Sequence, residues 1–79
     1  MAYCQYLYSN YVVFMNIIGM RIREARRLNK FSREQVARKL GVSQQQLARY
    51  ESGENKISAD KISVIATILH KPIDYFYSK

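Results

Sequence analysis

The stretch "FSREQVARKLGVSQQQLARYESG", residues 31–53, constrains this chain more than any other. Ser32 followed three residues later by Gln35 is a capping box, in which two side chains satisfy backbone N–H groups at a helix start. Val36, Ala37 and Leu40 supply that helix's apolar stripe. Gly41 stops it, because glycine accepts the left-handed conformation of a helix end. Only Val42 intervenes before Ser43 and Gln46 repeat the capping-box pattern, and Gly53 ends the helix they open. Two short helices joined by so tight a turn are the frame on which the other segments must pack.

Helical patterning extends to both sides. From Gly19, the residues Ile22, Ala25 and Leu28 or Asn29 recur at helical spacing among arginines, which predicts a basic amphipathic helix of about three turns. Ser58 is the next cap, with Asp60 placed to favour the helix dipole, and Ile62, Ile65, Ala66 and Leu69 form a core face. Pro72 suits the start of a last short helix containing Ile73, Asp74 and Phe76. Residues 19–79 therefore read as one all-α domain of five short helices. Residues 1–18 differ: they are uncharged and rich in Tyr, Val, Phe and Ile, types that favour strands. Leu7, Tyr11, Phe14 and Ile18 nevertheless fall at helical spacing. We read 1–18 as an extended arm or strand, a candidate dimerisation element, with Met15 or Met20 as alternative natural starts. It lacks the basic n-region of a secretory signal, and Gln5, Ser9, Asn10 and Asn16 break any membrane span.

Charge narrows the partners. Lys plus Arg number 13 against 6 Asp plus Glu, a net charge of +7, which favours polyanions: nucleic acid first, acidic membrane second. One cysteine, Cys4, and one histidine, His70, provide no intrachain disulfide and no metal-ligand spacing, so no metal or cofactor is expected and a reducing cytoplasm is the natural compartment. Cys4 reads as a small hydrophobe and His70 as a helix C-terminal residue interacting with the last carbonyls. No nucleophile, base and orienting group can be assembled, so the chain is not expected to be an enzyme. Nor does its length leave room for a separate effector domain, so no small-molecule ligand is expected.

At about 100° per residue, Leu47, Tyr50 and Glu51 share one side of the second capped helix, and Gln44, Gln45, Ala48, Arg49 and Ser52 share the other. The first group anchors; the second faces outward. Gln46 lies off that face and is assigned to the cap. A helix-turn-helix spanning about residues 32–52 lays such a helix in the DNA major groove. There glutamine reads adenine and arginine reads guanine, each through two hydrogen bonds.

With these residues in view, 19–76 resembles the phage repressor and Cro (XRE-type) helix-turn-helix family. "IGMRIREARRLNKFSREQVARKLGVSQQQLARYESGENK" and "ISVIATILHKPIDYF" carry the resemblance. It implies a lambda-repressor-like bundle of five helices that binds a pseudo-palindromic operator in double-stranded DNA as a homodimer. By position, it implies base reading by Gln44, Gln45 and Arg49, and phosphate contacts by Arg33, Ser43, Asn55 and Lys56. Arg26 and Glu51 match a pair that bridges the first and third helices in several members. Three positions depart from the family pattern. Arg33 stands where glutamine usually opens helix two, which favours a stronger phosphate contact. Ile57 occupies a common proline site, and Lys30 a site often taken by glycine.

Val64 and Ile68 form a second apolar strip on helix four, and Tyr75 and Tyr77 flank Phe76; these four are the candidate dimer interface. The expected function is a sequence-specific transcriptional regulator, a repressor or small controller protein. The alternative is an antitoxin-like interaction module that masks a partner protein and also binds DNA; the absence of a separate toxin-binding segment favours the first.

Overall fold

The computed structural model describes residues 16–77, and they form five helices with no strand among them. Helix α1 covers 16–28, α2 Arg33–Leu40, α3 Gln44–Ser52, α4 Ala59–Ile68 and α5 Asp74–Tyr77. Residues 16–18 are helical, which corrects the expectation of an arm reaching to residue 18. Ile18 and Ile22 lie one turn apart and both are buried, so core packing overrides the strand preference of the local sequence. The expectations for residues 1–15 lie outside the described residues.

Each helix contributes to a single core. Ile18, Ile22 and Ala25 of α1 meet Val36 and Ala37 of α2, Leu47 and Tyr50 of α3, and Ile62, Ile65 and Ala66 of α4; Leu69 and Phe76 close it. Ile57, at the family's frequent proline site, is also buried there and fixes the entry into α4. Leu28 is 62% exposed and does not belong to the core. Asn29 takes the position instead, its Nδ2 donating to the carbonyls of Ala25 (2.8 Å) and Leu69 (2.9 Å), so it ties the ends of α1 and α4 together.

The caps show why the helices begin where they do. Gln35 N–H donates to Ser32 Oγ (3.1 Å) and Ser32 N–H donates to Gln35 Oε1 (2.8 Å), a complete capping box. In α3 the pattern is one-way: Gln46 N–H donates to Ser43 Oγ (3.0 Å), while the Gln46 side chain does not return the bond. The assignment of Gln46 as a reciprocal capping partner is thereby corrected. Ser58 Oγ accepts from Lys61 N–H at α4. Gly41 and Gly53 end α2 and α3 with φ of 82° and 81°. Lys30 (φ 60°) and His70 (φ 57°) take the same left-handed geometry after α1 and α4, at a cost of about 1–2 kcal/mol each. The His70 ring is exposed; its backbone N–H, with that of Lys71, meets the α4 carbonyls of Thr67 and Ala66.

Gly19 allows a close approach of two helices. A Cβ there would collide with the backbone carbonyl oxygens of Tyr50 and Glu51, so α1 rests directly on the last turn of α3. Backbone cannot yield as a side chain does. Gly19→Ala is expected to lower stability by about 1–3 kcal/mol, measured by urea unfolding; a neutral result would contradict this contact.

Candidate nucleic-acid interface

The α2–α3 turn leaves α3 with one side in the core and the other in water. Leu47, Tyr50 and Glu51 are buried, whereas Gln44, Gln45 and Ser52 are exposed and Ala48 and Arg49 half-buried. Gln44 and Gln45 are the first two residues of α3, directly after the Ser43 cap. Each carries an amide with a donor and an acceptor, the combination that can make two hydrogen bonds to a base edge. Ser43 is exposed beside them. Beyond α3, Ser52 Oγ donates to the Arg49 carbonyl (3.1 Å) and accepts from Glu54 N–H (3.3 Å), while Asn55 N–H also donates to the Arg49 carbonyl (3.2 Å). These bonds shape the loop that carries half-buried Asn55 and exposed Lys56.

Glu51 holds α3 from behind. Arg26 Nε donates to its Oε2 at 2.7 Å and Arg26 Nη2 to its Oε1 at 3.2 Å, a two-bond fork between α1 and α3. Arg26 Nη1 also donates to the Phe31 carbonyl (3.2 Å), which fastens the loop leading into α2. Both charges are buried, with side-chain exposures of 9% for Arg26 and 1% for Glu51.

Two further arginines reach the same carboxylate. Arg33 Nε lies 3.5 Å and Arg23 Nε 3.7 Å from Glu51 Oε1, and both side chains are nearly half exposed. The sequence reading of Arg33 did not anticipate this inward pairing, and Arg23 was not singled out at all. One signal was available: Arg23 and Arg26 are three residues apart and so share a helix face.

Of the candidate dimer residues, Val64 and Tyr77 are exposed, and Ile68 and Tyr75 are half-buried against the core. Ile73, 46% exposed, adds an apolar residue that the sequence reading had assigned only to the last helix. Tyr75 is also engaged within the protomer: its hydroxyl donates to Glu24 Oε1 (2.8 Å), and Arg21 and Lys71 lie against its ring. Burial first, and then the Glu24 carboxylate, push the Tyr75 phenol above its usual pKa.

A tight α2–α3 turn on a five-helix bundle defines a helix-turn-helix protein. A helix-turn-helix family model matches residues 22–76, and the chain belongs to that family, in its phage repressor/Cro (XRE) branch. The chain is 46% identical over 61 residues to a Rhodospirillum rubrum protein described as a transcriptional regulator in ATPase CF(0) region, covering 77% of this chain and 56% of that one. It is 35% identical over 60 residues to an HTH-type transcriptional regulator of Sinorhizobium medicae, covering 76% of this chain and 43% of the relative. The chain thus spans about half the length of these curated relatives. The crystal structure of the restriction-modification controller protein C.AhdI from Aeromonas hydrophila superposes with a TM-score of 0.74 at 25% identity, covering 80% of this chain and 96% of that chain.

Removing one partner of a buried fork strands the other charge. Glu51→Ala, which leaves the Arg26 charge buried without its carboxylate, is expected to lower unfolding free energy by about 3–5 kcal/mol, measured by urea denaturation. A loss under about 1 kcal/mol, the range of surface pairs, would contradict the buried geometry.

Proposed function

We propose that this chain is a sequence-specific DNA-binding transcriptional regulator that acts on a pseudo-palindromic operator as a homodimer. One observation carries the reading: α3 buries Leu47, Tyr50 and Glu51 while exposing Gln44 and Gln45 at its N-terminus, on a chain of net charge +7. In this reading Gln44, Gln45 and Arg49 face base edges in the major groove. Ser43, Asn55 and Lys56 contact phosphates on either side, and these contacts fix the register of the helix without reading sequence. The relatives named as transcriptional regulators and the likeness to a controller protein support the same reading. No described helix is long and apolar enough to cross a membrane. We infer a cytoplasmic site of action, where duplex DNA and a reducing environment meet.

Selection of bound sites from random duplex DNA at two salt concentrations tests the proposal. An enriched palindrome is expected, and Gln45→Ala should relax preference at one position by about 1–3 kcal/mol. Binding with no enriched motif that vanishes uniformly with salt would overturn sequence-specific regulation in favour of charge-driven association.

Dimerisation through the α4–α5 face is the second half of the proposal. Val64 and Ile73 expose apolar surface there, 45% and 46% of each residue, and apolar area that stays wet in a monomer is stabilised by burial against a second copy. Val64→Asp is expected to leave the helical fold intact and convert the dimer to monomer in sedimentation. In parallel, a chain beginning at Met15 that stays dimeric would remove residues 1–14 from the interface.

A further inference from the structure

We propose that Arg23 and Arg33 form a two-arginine clamp for one backbone phosphate of the bound duplex, preorganised by Glu51; this rests on the DNA-binding reading above. Three guanidinium groups surround a single carboxylate, Arg26 at 2.7 Å, Arg33 at 3.5 Å and Arg23 at 3.7 Å. Arg26 alone satisfies Glu51 with a two-bond fork. The cluster is left with an excess of positive charge, held by the two arginines whose side chains are 42% and 45% exposed. Their Nε atoms approach the same Oε1, so the two guanidiniums are neighbours although they come from different helices.

Arg23 also has a buried Nε with no hydrogen-bond partner among the described residues. Because that atom is buried beside Glu51, contact with a ligand from solvent falls to the exposed part of the guanidinium. The distance from Nε to Glu51 Oε1 is that of an ion pair, too long for a hydrogen bond. Glu51 therefore holds Arg23 in place by charge without consuming its donors. A phosphodiester suits what remains: its two free oxygens accept from planar guanidinium forks, and its single charge offsets part of the excess. Arg33 is the first residue of α2, whose N-terminal dipole favours an anion at the same corner. Arg23 thus becomes a phosphate-positioning residue outside the helix-turn-helix unit.

Duplex binding measured against salt, alongside thermal unfolding, tests the clamp. Arg23→Gln should weaken binding to selected and random-sequence duplexes by the same factor. Together with Arg33→Gln it should flatten the log–log salt dependence by about 0.9, the share of one phosphate. An Arg23→Gln protein with wild-type affinity and slope overturns the clamp and leaves Arg23 a counter-charge for Glu51. Should that variant fail to fold, Arg23→Lys keeps the charge and loses the fork: weaker binding at wild-type stability supports the clamp, and unaltered binding overturns it. Failure of the unmodified protein to bind duplex DNA at either salt would overturn the DNA reading itself, and the clamp with it.

Discussion

The buried carboxylate of Glu51 is the constraint around which the rest of the molecule is arranged. A charge with 1% side-chain exposure is tolerated only where partners replace the water it loses, and Arg26 does so with two directed bonds. Those bonds fix more than a distance. A planar fork also fixes orientation, so α3 is held against α1 at a set rotation about its own axis. Gly19 makes the arrangement possible by letting the α1 backbone rest on the carbonyls of Tyr50 and Glu51. The same arginine reaches the Phe31 carbonyl and fastens the entry to α2. One ion pair thereby sets the relative placement of the three N-terminal helices.

The outer face of α3 follows from that placement. With Leu47, Tyr50 and Glu51 committed inward, the 100° step of the helix leaves Gln44 and Gln45 outward. Ser43 starts the helix with a single bond rather than a reciprocal pair, so no glutamine of the run is tied back by a box like that of Ser32 and Gln35. The long polar side chains stand on backbone that is rigid because the opposite side of the helix is core.

Much of this was legible in the residues themselves. The caps at Ser32, Ser43 and Ser58, the glycine stops at Gly41 and Gly53, and the apolar periodicities of α2 to α4 all depend on neighbours within a few positions. Local hydrogen bonding and 3.6-residue geometry decide them, and both can be followed along a sequence. Where local signals conflict, contacts with distant residues decide. Ile18 sits among strand-favouring residues yet is helical, because burial against distant helices outweighs local preference. Leu28 and Asn29 compete for one inward position, and the polar residue takes it, half-buried, by bonding Leu69, forty residues away. Nothing near residue 29 announces that partner.

The sequence by itself determined the helices, the tight turn, the anchored and outward sides of α3 and the basic balance of the chain. Each is a short-range or additive property. Only the tertiary structure decided that Arg23 and Arg33 converge with Arg26 on one carboxylate, that Gly19 is a contact point rather than a helix start, and that Tyr75 turns toward Glu24. The reason is physical. Coulomb attraction and steric exclusion act through space between atoms far apart in the chain, and which atoms meet is known only once the helices have packed.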